Sequence, residues 1–325
     1  VNSATYSPDG RFILTASFDG TARIWEATTE VEVRVLRGHE SVVNSSVYSP
    51  DGRFILTASD DNTVRIWDAA TGGEVRVLRR NDGRVNSAVY SPDGLLILTA
   101  SFDTTARIWE AATGTEVRVL RGHESVVNSA VYSPDGRFIL TASGDNTARV
   151  WDATTETKIY VLRGHESVVN NAVYSPDGRF ILTASGSRFG FEDNTARVWA
   201  AASGVEVHVL RGHKDVATSA VYSPDGRFIL TASRDGTARV WDAATGAEVR
   251  VLRGHEDGVF SAVYSPDGLF ILTASTDGTA RIWDADYRDF IAYACTRVFR
   301  DFTDDERTRY GLDDTPTCPQ FGPGV

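Results

Sequence analysis

Histidine, serine and aspartate recur together along this 325-residue chain, as His39/Ser59/Asp61, His123/Ser143/Asp145, His165/Ser185/Asp193, His213/Ser233/Asp235 and His255/Ser275/Asp277. A hydroxyl, an imidazole and a carboxylate are the parts of a nucleophile, its general base and the group that orients the base, so one such set in a cleft would suit acyl transfer. Five sets argue against it. An enzyme has no use for several copies of one triad, whereas a repeated scaffold needs the same buried hydrogen bonds in each copy. Each such bond contributes about 1 kcal/mol, and an orphaned partner costs about 1–3 kcal/mol. No other constellation competes: there is no zinc or calcium ligand spacing, no phosphate-cradling glycine loop and no isolated carboxylate pair. The residues therefore predict no catalytic group, no metal and no cofactor.

What must position these residues is a repeat. Ser-Pro-Asp-Gly begins at Ser7, Ser49, Ser91, Ser133, Ser175, Ser223 and Ser265, spaced by 42 residues except for one step of 48. All seven tryptophans, Trp25, Trp67, Trp109, Trp151, Trp199, Trp241 and Trp283, share one phase of that period. A fixed period of this length decides the architecture before local structure is read. Within the second unit, residues 43–48 are rich in β-branched and aromatic types and end at the turn Pro50-Asp51-Gly52. Residues 53–59, 63–68 and 74–78 read as three further strands, separated by Asp60-Asp61-Asn62 and Thr71-Gly72-Gly73. Four short strands per period, seven times over, predict radial repetition: an all-β, seven-bladed propeller of four-stranded antiparallel blades.

Gly38-His39, then Ser-Pro-Asp-Gly, then S-x-D-x-T-x-R-x-W-D ending at Trp67-Asp68 is one complete copy of a pattern that resembles the WD-repeat (WD40) family, over about residues 1–286. The resemblance implies that the turn Asp, His, Ser and Trp of a unit (His39, Ser59, Asp61 and Trp67; His123, Ser143, Asp145 and Trp151) form one hydrogen-bonded network fixing strand geometry. It also implies that the turn between second and third strands opens on the same face as the Gly-His loops, and that this face binds a protein or peptide.

Departures from the repeat indicate where packing is not the whole account. The third unit has Arg80-Asn81 in place of Gly-His, so Asn81 either replaces the histidine or leaves the network incomplete, and that blade is expected to be looser. The fifth unit carries six extra residues, Gly186–Glu192 standing where the fourth has a single glycine. Insertions in repeat proteins map to loops, and loops on a rigid scaffold carry recognition. Aromatics and arginines make the strongest interface anchors. The expected contacts are Phe18, Phe102, Phe189, Phe191, Arg84, Arg188 and Arg234, bordered by Val42, Val126 and Val168. For Phe189 and Phe191 the alternative is that they fold the long loop onto its own blade.

Asn2, Asn44, Asn86, Asn128, Asn170, Thr218 and Phe260 share a phase on the inner strands, and would ring the central channel around ordered solvent or a small polar ligand. The arginines from Arg23 to Arg281 and the aspartates of Ser-Pro-Asp-Gly are expected to form ion pairs between blades.

The repeat stops at Trp283-Asp284, three strands into the seventh unit. Beyond it, Phe290, Ile291, Ala294, Cys295 and Val298 have the spacing of an amphipathic helix, and a second is expected from Thr303, capped with Glu306, to near Gly311. Residues 287–325 are thus expected to be a short helical extension packing on the propeller. With A-C-x-R at Ala294–Arg297 and T-C-P at Thr317–Pro319, the tail resembles the extension that follows WD repeats in large bacterial signalling proteins. That implies the C-terminal sensor of a multidomain protein. Cys295 and Cys318 are either paired or two packed thiols.

Composition agrees with a soluble binding domain. Forty-four acidic against 33 basic residues give a net charge of −11 and a pI near 5.1, which disfavours nucleic acid and anionic membranes. No apolar run could span a bilayer and no signal segment opens the chain, so the expected location is cytoplasmic. The chain contains no methionine, so it is expected to be a piece of a larger protein, monomeric as a fragment. The function expected is a non-catalytic interaction scaffold, with a structural or self-associating array as the alternative and an enzyme third.

Overall fold

The structure, a computed structural model, describes residues 1–79, 82–155, 157–187, 193–285 and 303. Every described sheet is an antiparallel meander in chain order, and there are seven of them among the described residues. In the second unit the strands are Val43–Tyr48, Phe54–Ser59, Val64–Asp68 and Glu74–Leu78, within one residue of the ranges read from its alternation and turns. The first strand of each sheet packs against the first strand of the next, and that of the seventh returns to the first. The sheets are therefore the blades of a closed seven-bladed propeller.

The core lies between blades. Leu56, Ala58, Ile66 and Leu78 of the second blade pack with Val85, Ala88, Ile97 and Trp109 of the third, and the pattern repeats around the ring. A middle strand thus buries both its faces, one against each neighbour. This is why Phe-Ile-Leu-Thr-Ala-Ser is nearly continuously apolar while Glu-Val-Arg-Val-Leu, the outermost strand, alternates. Ile55, Leu56 and Ala58 are all fully buried, and each such Leu or Ile stabilises the fold by about 1.5–3 kcal/mol.

Each Ser-Pro-Asp-Gly turn locks itself. Asp51 Oδ1 accepts from Ser49 Oγ at 2.6 Å and from the Arg53 amide at 3.0 Å, while Gly52 takes a φ of 71° that a side chain would strain. The aspartates expected to pair between blades are therefore turn residues. The seventh blade has three strands among the described residues, the last being Ala280–Asp284. Ile282 there is 37% exposed, against 6% for its counterpart Val240 in the sixth. The expected helices at 287–300 and from Thr303, and both cysteines, lie outside the described residues apart from Thr303 itself.

Candidate binding surface

The recurrent histidines sit in the loops that join one blade to the next, and each reaches into the blade it precedes. His39 Nδ1 lies 2.7 Å from Asp61 Oδ2, its Nε2 lies 2.7 Å from Thr57 Oγ1, and Trp67 Nε1 donates to the same Thr57 oxygen at 2.8 Å. The hydroxyl between His and Trp thus belongs to Thr57, where the sequence reading placed Ser59. Both residues lie on one side of the strand, two apart. Ser59 Oγ instead accepts from the Asp61 amide at 3.1 Å and reaches the Ser41 carbonyl at 3.4 Å. In the fourth blade Thr141 likewise links His123 and Trp151, and Ser143 Oγ accepts from the Asp145 amide at 3.1 Å and donates to the Ser125 carbonyl.

Protons in this chain of bonds have a direction. The Asp61 carboxylate can only accept, so His39 Nδ1 donates to it, and in the neutral ring Nε2 accepts from Thr57, which itself accepts from the tryptophan. The imidazole is neutral in that arrangement, and burial holds its pKa below 6.5 although Asp61 opposes this. Asp61 is pushed up by burial and pulled down further by hydrogen bonds from Thr63 and His39, settling at about 2. The histidine meets a threonine and not the serine, and its ring is buried. The third blade keeps the Trp109–Thr99 bond at 3.0 Å, and there Asp103 takes Arg107 Nη2 at 2.8 Å. Asn81, which replaces the histidine, lies outside the described residues.

The inner ring is a belt of bonds between blades. Asn2 donates to the Val43 carbonyl, Asn44 to Val85, Asn86 to Val127, Asn128 to Val169, Asn170 to Ala217 and the Thr218 hydroxyl to Val259, all at 2.8–3.1 Å. These amides, expected to face channel solvent or a ligand, are each turned towards the next blade. Phe260, which has no donor, carries the Arg234 guanidinium 4.8 Å from its ring centre.

The arginine series also departs from expectation, pairing within blades. Arg23 meets Glu32 at 2.8 Å and Arg107 meets Glu116 at 2.9 Å, and Arg65 pairs with Glu74. In the six blades with a described fourth strand a bulge precedes the tryptophan; it sets Trp67 opposite Glu74, and Arg65, two residues from Trp67, reaches the Glu74 carboxylate. In the fourth blade Lys158 stands in the glutamate's place, and Arg149 donates to the Gly122 carbonyl at 2.6 Å.

Two sets of loops meet on one face of the ring. The amide of Asp60 donates to the Val42 carbonyl, Phe102 to Arg84, Gly144 to Val126, Gly186 to Val168, Arg234 to Val216 and Thr276 to Gly258, at 2.9–3.0 Å. The turn between second and third strands is thereby tied, blade by blade, to the loop that carries the histidine. Phe18 and Phe102 are 55% and 54% exposed. Arg84 lies 5.8 Å from the Phe102 ring and 3.5 Å from the Asp60 carboxylate of the blade before. Val42, Val126 and Val168 are half-buried there, and Arg234 is half-buried against Phe260. Arg188, Phe189 and Phe191 lie outside the described residues. The insertion leaves the blade beneath it intact, since Asp193 still meets His165 at 2.7 Å across the longer turn. Among the described residues no group of acidic, histidine or cysteine side chains is placed to hold a metal, and no helix is long and apolar enough to cross a membrane.

Seven closed blades, each with this Asp-His-Thr-Trp relay or its remnant, define a repeat propeller whose framework is structural and whose loops are free to vary. The family model for the WD domain, G-beta repeat, matches residues 1–26, 30–68, 72–110, 114–152, 156–200, 204–242 and 246–284, and the chain belongs to the WD40 family. A search among curated proteins returns no match. WD40 propellers generally mediate protein–protein interactions and are typically non-enzymatic.

Proposed function

We propose that this chain is a non-catalytic platform that binds a protein or peptide on the face where the histidine loops and the second-to-third-strand turns meet. The observation that carries this reading is the pairing of Arg84 with Phe102: a main-chain bond joins the two loops, the phenyl ring is half exposed, and the guanidinium lies over it. Exposed aromatic side chains desolvate large areas and arginine forms forked hydrogen bonds, which suits them to anchor a partner. Gly186 and Asp193, at the two ends of the stretch that carries six extra residues, are both tied to the histidine loop of this face, which makes that stretch the natural centre of the contact. The reading extends to a propeller over 1–286 with 287–325 packed on it. It forms the cytoplasmic, monomeric C-terminal sensor of a larger bacterial protein, with no affinity for nucleic acid or membrane.

Affinity capture with the wild-type chain and a variant in which residues 186–192 become one glycine tests this. A partner held by wild type and lost by the variant, with equal melting temperatures, supports the reading. An unchanged captured set contradicts it, and a mass that rises with concentration without any partner favours the self-associating array.

A further inference from the structure

On the face opposite those loops, a side chain from the outermost strand of five blades, the second to the sixth, reaches to the next blade. Arg76 Nη1 donates to the Ala111 carbonyl at 3.1 Å, Arg118 Nη1 to Ala153 at 3.3 Å and Arg250 Nη1 to Asp284 at 2.7 Å. The fifth blade uses His208 Nε2, 3.0 Å from the Ala244 carbonyl. In the fourth blade the residue is Tyr160, whose hydroxyl donates to the Ala201 carbonyl. The staple is kept there, but its cation is gone.

The cleft beside Tyr160, between the fourth and fifth blades, has a volume of about 700 Å³, against about 330 Å³ for the sister cleft that holds Arg250. Four rings line it, those of Phe138, Tyr160, Tyr174 and Phe180, together with Asp135 and Asp177. One guanidinium, that of Arg179, is part of the lining, with Arg137 near Asp135 outside it, whereas two, those of Arg227 and Arg250, line the sister cleft beside Asp225 and Asp267. The Tyr174 hydroxyl is buried without a hydrogen-bond partner among the described residues. Burial first, and then Tyr160 and Asp135, push its pKa up.

We infer that this cleft is a second binding site, which accepts an arginine side chain from a peptide or protein partner between its aromatic walls and its two aspartates. A guanidinium is the cation that the chain itself seats beside the equivalent carbonyls through Arg76 and Arg118, and one residue earlier, at Asp284, through Arg250. It stacks on aromatic faces and donates forked hydrogen bonds to carboxylates. The site is independent of the loop-face reading, because no residue of it lies in those loops.

The test is titration of the full chain, labelled at its tyrosine rings for NMR, with a blocked Gly-Gly-Arg-Gly-Gly peptide and its citrulline counterpart, which has the same shape without charge. Saturable shifts of the Tyr160 and Tyr174 signals are expected with arginine, with affinity about tenfold lower for citrulline. Tyr160→Arg restores the staple of the sister blades, so it should melt like wild type and lose the peptide. If that variant fails to fold, Tyr160→His, which copies the staple of the fifth blade, takes its place and should also weaken binding. Equal affinity for the two peptides, or undiminished binding by the variant that folds, overturns the assignment.

Discussion

His39 Nε2 and Thr57 Oγ1 lie 2.7 Å apart, and the same threonine oxygen receives the indole hydrogen of Trp67. One hydroxyl therefore holds together a loop, the second strand and the third strand of its blade. Replacing Thr57 by valine keeps the shape and leaves both the Trp67 N–H and His39 Nε2 unpaired in a buried site. The expected loss is about 1–3 kcal/mol, while Thr57→Ser should cost less than about 1 kcal/mol. Urea denaturation of both variants beside Ser59→Ala checks this: Ser59→Ala being the more damaging would return the link to serine.

Acid should weaken the fold in two stages. Burial lowers the pKa of His39, His123, His165 and His255 below 6.5. The unfolded chain therefore takes up protons first, and the stability these rings contribute is complete above about pH 6.5 and lost as pH falls below it. Their partners Asp61, Asp145, Asp193 and Asp277 are held below 3.8, so their contribution persists down to about pH 4 and then falls away. Urea midpoints between pH 8 and pH 3 should decline from pH 6.5 and again from pH 4. Stability that rises between pH 7 and pH 5 would mean that each histidine is a charged partner in an ion pair.

Thr104 adopts a φ of 70°, in the left-handed region that a β-branched residue seldom occupies. The equivalent positions hold Asn62 and Asn146, at 67° and 65°, and Gly20, Gly236 and Gly278. Relief of this strain outweighs the greater freedom of an unfolded glycine. Thr104→Gly is expected to stabilise the protein by about 1 kcal/mol, read as a higher melting temperature. An unchanged or lower one would show that Thr104 carries no strain.

Much of this architecture is legible in the chain because a period of 42 residues multiplies each local signal sevenfold. Trp67, Asp61 and His39 stand out by type and phase alone. The choice between Thr57 and Ser59 does not, since both are hydroxyls that recur in every unit and point the same way from one strand. Pairings across blades are hidden for another reason. Asn86 finds the Val127 carbonyl 41 residues away, and nothing in a side-chain pattern announces a main-chain acceptor. The arginines were misassigned because the bulge that brings Glu74 opposite Trp67 is a feature of register. Tyr160 is a single change of type on a half-exposed strand, and the volume of the cleft beside it, about 700 Å³ against about 330 Å³ at Arg250, has no counterpart in the sequence pattern.

The most direct test of the loop-face platform is a comparison of photo-cross-linking from two exposed apolar positions of one blade. A photoreactive residue replaces either Phe102, on the loop face, or Leu95, which is 67% exposed in the turn on the opposite face. The platform predicts that the partner captured by the wild-type chain is cross-linked from position 102 and not from position 95. Cross-linking from position 95 alone would contradict it and move the site to the other side of the ring.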